Sequence, residues 1–158
     1  MTLFSVLGAL TFGAKYVMAV LPNIEPVSLF VMVFGVCFGR RALYPIFLYV
    51  AMEILFYGLG TWNVMYIYIW PLLGILACGF REMENPLGWA ILSGVFGLLF
   101  GALCIPVDMV IGGFGFAVSK WISGIPFDIA HCIGNFVIAL IGFMPLRRLT
   151  ERLYRQMK

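Results

Sequence analysis

The chain has 158 residues, of which 63% are hydrophobic, 16% aromatic and only 11% charged, with a formal net charge of +3. Soluble domains carry roughly 25% charged residues and about half apolar ones, and a chain this short exposes too much surface to hide such an excess of apolar side chains from water. A water-soluble enzyme, a disordered tail and a nucleic-acid binder are thereby excluded, and an integral membrane protein is expected.

A membrane-crossing helix needs about 20 mostly apolar residues. The first predicted span runs from Leu3 to Leu21, contains Lys15 and stops at Pro22. Its start lacks the cationic region of a secretory signal, so a retained span is expected rather than a cleaved peptide. The second, Val27 to Gly39, follows Glu25-Pro26 and stops at Arg40-Arg41. Its thirteen residues rise only about 20 Å as a helix, less than the roughly 30 Å hydrocarbon core, so a re-entrant half-helix competes with a full crossing. The third, Ala42 to Leu59, carries Pro45 in its first turn, where proline is tolerated, and Glu53 in its interior. Trp62 to Phe80 is the fourth, with Pro71 inside it, and Pro86 opens the fifth, which extends to Ile105. A glycine-rich connector, Pro106 to Gly124, precedes the sixth, Ile125 to Met144. The expected fold is therefore all-α: an integral membrane bundle of six transmembrane helices over residues 1–145, with a basic cytoplasmic tail over 146–158.

Charge placement favours six crossings with both termini cytoplasmic. Arg40, Arg41, Arg81, Arg147, Arg148, Arg152, Arg155 and Lys158, eight of the ten cations, then lie inside, and Lys120 is the one cation in an external loop. The tail repeats Leu146, Leu149, Leu153 and Met157 among arginines, a pattern suited to the cytoplasmic lipid surface or to a protein partner. Small residues four apart, such as Ala9 and Gly13, Gly35 and Gly39, and Gly97 and Gly101, let helix backbones approach closely. Most of these pairs are expected to serve internal packing, whereas Ala9 and Gly13 on the first span are candidates for docking an outside partner. The four cysteines lack CxxC spacing and read as small buried hydrophobes.

Ionisable groups inside spans are costly and usually face a cavity or a partner. Lys15, Glu53, Asp128 and His131 are such groups, and counting back from the predicted outer ends puts all four in one layer of the outer membrane half. A purely structural ion pair is the competing explanation. Asp128, His131, Cys132 and Asn135 fall on one face of the sixth span, while Trp62, Tyr66 and Trp70 form a stripe on the fourth, with Asn63 nearby. Rings supply stacking area and sparse polar groups set orientation, which suits a flat, polar, heteroaromatic ligand. The interfacial aromatic belt accounts for Trp62 and Trp121 equally well, but less well for Trp70. The single histidine offers no multi-histidine metal site, Ser93 lacks a GxSxG elbow, and no Walker motif is present, so no catalytic residue, metal or cofactor is assigned.

Three stretches carry a family resemblance: Leu21-Pro22-Asn23-Ile24-Glu25-Pro26-Val27-Ser28-Leu29, Gly58 through Leu73, and Gly124-Ile125-Pro126-Phe127-Asp128 with His131 and Gly134-Asn135-Phe136. In these, and in size and span count, the chain resembles the substrate-binding S components of energy-coupling factor (ECF) vitamin transporters. The resemblance implies a multi-pass bacterial plasma-membrane subunit that captures a vitamin or related micronutrient and hands it to a membrane coupling protein with two cytoplasmic ATPases. It also implies an Ala-x-x-x-Ala docking motif on the first helix, for which Ala9-Leu10-Thr11-Phe12-Gly13 is the nearest match, with glycine in place of the second alanine. Lys15, Glu53, Asn63, Tyr66, Trp70, Asp128, His131 and Asn135 are the expected substrate contacts. A corrinoid and a smaller heterocyclic vitamin both remain open as substrates. The alternatives are a self-sufficient ion-coupled carrier or channel using Glu53 and Lys15, and a membrane enzyme using His131.

Overall fold

A computed structural model describes residues 2–20 and 24–156. Leu21, Pro22 and Asn23, which include the expected end of the first span, lie outside the described residues, as do Met157 and Lys158 of the tail. Among the described residues the chain is all-helical, with no strand: α1 (Thr2–Met18), α2 (Val27–Phe38), a 3-10 turn (Gly39–Ala42), α3 (Leu43–Tyr57), α4 (Thr61–Gly79), α5 (Pro86–Leu98) and α6 (Phe100–Gln156). Three continuous helical stretches, Val27–Tyr57, Thr61–Gly79 and Pro86–Gln156, are long and apolar enough to cross a membrane.

The chain turns where glycine permits it. Gly39, Gly58 and Gly113 have φ of +58°, +79° and +80°, a region that side chains with a Cβ avoid. Gly39 separates α2 from α3, and Gly58 precedes α4. Gly113 folds α6 into two arms, residues 100–112 and 114–156. Close approaches of Gly94 to Cys132, Gly97 to His131 and Gly101 to Asp128, and an ion pair between Asp108 and Lys120, run toward Gly113 and make the arms antiparallel. This departs from the sequence expectation of a connector over Pro106–Gly124, since that segment is helical on both sides of Gly113. The glycines there were read as loop formers, but glycine is frequent in membrane helices, and only the one with positive φ interrupts this helix.

Helix α2 is apolar around its whole circumference, and such a helix belongs inside a bundle. Nine of its twelve residues are buried, packed among α1, α4 and α6. Gly35 of α2 meets the carbonyl of Gly74 on α4, an approach that a Cβ would block. Helix α1 lies along α3, with Phe4 stacked on Tyr44 at 5.8 Å, Gly8 against Pro45 and Leu48, and Phe12 against Phe56 at 4.8 Å. Helix α5 starts where the sequence suggested, with Pro86 in its first turn and the Asn85 side chain accepting the Leu87 N–H at 3.0 Å.

The tail is a straight continuation of α6 past Pro145. Its inward face is Leu146, Thr150 and Tyr154, with Tyr154 edge-on to Phe38 at 4.9 Å. Arg147 fastens the α4–α5 loop to the tail: its guanidinium donates to the carbonyls of Met83 (3.0 Å) and Arg81 (3.1 Å) and to Glu151 (2.9 Å). Leu149 and Leu153 of the expected lipid-facing stripe are exposed, whereas Leu146 is turned inward.

Gly113 also supplies a stability prediction. Gly113→Val forces a branched side chain into a conformation only glycine adopts freely and should cost about 1–3 kcal/mol. Gly115→Ala, where an added Cβ meets nothing within 4 Å, should be nearly neutral. Thermal unfolding of the two variants in detergent tests the contrast.

Candidate functional site

Lys15, on the last turn of α1, reaches across to α3 and the loop before α2. Its Nζ lies 2.9 Å from Glu53 and 3.9 Å from Glu25, 3.5 Å from the Tyr66 hydroxyl, and 5.2 Å and 5.9 Å from the ring centroids of Tyr66 and Tyr49. The Glu53 side chain is 2% exposed, so the ion pair is taken out of solvent. In the loop, burial pushes the Glu25 carboxyl above its ordinary range, against the opposing pull of Lys15.

An aromatic ladder leads from this cluster to α6. Tyr66 meets Trp70 at 5.5 Å, Trp70 meets Phe100 at 5.6 Å, and Phe100 meets the His131 ring edge-on at 5.0 Å. Tyr49 closes the near side, stacked on Tyr66 at 6.3 Å. Beyond His131, Asn135 donates to the Ser28 hydroxyl at 3.0 Å and to the Ser93 carbonyl at 3.3 Å. The carboxylate of Asp128 accepts the Gly101 N–H at 3.0 Å. These contacts depend on the glycines of the facing arm, because a Cβ on Gly101 would overlap the Asp128 carboxylate and one on Gly97 would crowd the His131 carbonyl.

The hydrogen bonding of this region is incomplete. Among the described residues, buried atoms without a hydrogen-bond partner are the Tyr49 hydroxyl, Glu53 Oε1, Asn63 Nδ2, Trp70 Nε1, Ser93 Oγ, Asp128 Oδ2, His131 Nε2 and Asn135 Oδ1. Buried polar groups are normally paired, and here the exceptions concentrate on α3, α4, α5 and α6 around the ladder.

The residues singled out from sequence thus fall into two groups. Lys15 touches both Glu53 and Tyr66, and Trp70 joins them through its ring to Phe100, His131 and the Asp128–Asn135 face. Asn63 sits one turn above Tyr66 on α4, its carbonyl accepting the Gly60 N–H at 2.7 Å in a capping contact while its Nδ2 stays unpartnered. Trp62 is 43% exposed, as an interfacial ring would be. Between these groups Trp70 and Tyr49 are fully buried, and the hollows around Arg40, Met83 and Arg148 are lined by other residues.

Sequence reading missed Tyr49, Glu25, Phe100 and the Asp108–Lys120 ion pair. Tyr49 precedes Glu53 by one helical turn, so its spacing was visible; Asp108 was hidden by the expected connector, and Phe100 was one apolar residue among many in the expected fifth span. On α1, Ala9 is exposed and Gly13 half-buried with open space beside it, leaving this pair outside the internal packing, which uses Gly8. The chain matches no family model, no curated protein and no solved structure.

Removing one partner of a buried ion pair leaves an uncompensated charge and typically costs about 3–5 kcal/mol. Lys15→Met should destabilise the protein on that scale, and Lys15→Met with Glu53→Gln should recover most of the loss. A double-mutant cycle by thermal unfolding measures the coupling.

Proposed function

We propose that this chain is a non-enzymatic, membrane-embedded substrate-capture subunit of the ECF S-component type. In this reading six helices cross the plasma membrane, both termini lie in the cytoplasm, and the Lys15–His131 region faces the outer leaflet. A vitamin-like, flat heteroaromatic compound is bound there and passed to a membrane coupling protein and its two ATPases, with Ala9 and Gly13 on the exposed face of α1 as the docking patch.

The observation that carries the reading is the concentration of unpartnered buried polar atoms along an aromatic ladder. Donors and acceptors flanking ring faces are what orient and stack a polar heterocycle. Because the rings now fill the space between them, binding requires Trp70 and Phe100 to part, so the ligand completes the hydrogen bonding as it separates the ladder. Each lost hydrogen bond to a charged or buried group costs about 1.5–3 kcal/mol, at least tenfold in affinity.

Mass spectrometry of small molecules retained after gentle purification identifies the ligand, and titration of the identified compound tests the site. Trp70→Ala, Asp128→Ala and Asn135→Ala should each weaken binding about tenfold or more; unchanged affinity in all three refutes the site. A second reading is favoured by the ammonium held between Glu53 and Glu25, an arrangement suited to an ion-coupled carrier. That reading requires substrate uptake by the chain alone in proteoliposomes, abolished by Glu53→Gln. Capture without uptake until coupling proteins and ATP are added separates the two.

A further inference from the structure

Two hollows open at the end of the bundle opposite Lys15. One, of about 370 Å³, lies between the 3-10 turn and α4 and is lined by Gly39, Arg40, Leu43, Gly74, Ile75 and Cys78 among others. The second, of about 430 Å³, lies on the α3 side and is lined by Arg40, Arg41, Leu43, Tyr44 and Phe47. They share Arg40 and Leu43, so Leu43 is a ridge with an apolar trough on each side and a guanidinium common to both. Gly39 and Gly74 contribute only backbone to the walls of the first trough.

Arg40 differs from the arginines around it. Arg147 is spent on Met83, Arg81 and Glu151, and Arg41 donates to the Tyr154 hydroxyl at 3.3 Å. Arg40 is exposed, and its guanidinium makes no hydrogen bond or ion pair among the described residues. The walls beside it face outward from the bundle: Ile75 is 61%, Tyr44 57% and Phe47 43% exposed. For a chain of this composition, that surroundings is lipid.

We propose that this end of the protein holds one anionic diacyl phospholipid, its phosphate on Arg40 and its two acyl chains in the troughs on either side of Leu43. A single free guanidinium above paired apolar troughs matches one negative headgroup carrying two chains. Guanidinium recognises phosphate bidentately, and each cation near the surface adds about 1 kcal/mol of attraction to anionic lipid. Both volumes lie within the roughly 300–1,000 Å³ of small-ligand sites. The site is separate from the Lys15–His131 region and does not depend on the capture reading.

The test uses the full chain purified in detergent, with native mass spectrometry to count retained lipid and thermal unfolding to read protection. Phosphatidylglycerol should be retained and raise Tm more than phosphatidylcholine of the same chains, and inorganic phosphate should do neither. Arg40→Gln should weaken phosphatidylglycerol retention about tenfold, and Ile75→Trp, which fills one trough from its exposed side, should weaken both lipids. Arg148→Gln, exposed on the tail, should leave retention unchanged. Equal retention of the two lipids, displacement of phosphatidylglycerol by inorganic phosphate, or wild-type retention by Arg40→Gln overturns the assignment; the last is also the result expected if a protein segment covers these troughs.

Discussion

Lys15 cannot sit among packed apolar helices without a countercharge, because the side chains around it replace the water that would solvate an ammonium. Glu53 supplies that countercharge at 2.9 Å, and the requirement ties α1 to α3 at one height. Tyr49 and Tyr66 then gather around the ammonium, which lies over both rings. Their position brings Trp70, Phe100 and finally His131 into register. A single electrostatic constraint at one end of the molecule thus sets the alignment of side chains from four helices.

Close backbone approach supplies the other half of the arrangement. Lipid competes with side chains for apolar contact on equal terms, so helices in a bilayer associate through packing and hydrogen bonds. Gly94 and Gly97 of α5 and Gly101 of the first α6 arm form a smooth face against which Cys132, His131 and Asp128 of the second arm lie. This explains how polar groups as large as Asp128 and Asn135 are buried at 7% and 2% exposure while still reaching backbone donors and acceptors. The same proximity leaves their second atoms without partners, since a backbone held this close offers few groups beyond those already used.

Much of this organisation was legible in the sequence, and for traceable reasons. The starts of α2, α4 and α5 follow from Pro26, from the Gly58–Gly60 break and from Asn85-Pro86, local signals that tertiary packing does not override. The meeting of Lys15 with Glu53 follows from cost, since two costly groups in one apolar chain must find each other. The α6 hairpin was not legible, because glycine density alone does not separate a flexible connector from a helix interface; the distinction rests on φ at Gly113. The tail was legible in part: Leu149 and Leu153 are exposed, but the inward side is made by buried Thr150 and by Tyr154, which meets Phe38 and Arg41. Hydrophobicity scales rank Thr150 and Tyr154 too low to mark a packing face.

The two sides of the molecule differ in height. Residues 86–112 and their antiparallel arm form a column of about 40 Å, whereas α2 and α3 rise only about 18 Å and 22 Å. A bilayer of uniform thickness cannot match both. If the chain spans a bilayer, lipid beside the shorter α3 thins or the whole chain leans so that the tall hairpin shortens in projection. In a bilayer, membrane thickness would then act as a mechanical load on this protein, and thicker or thinner bilayers would shift its tilt.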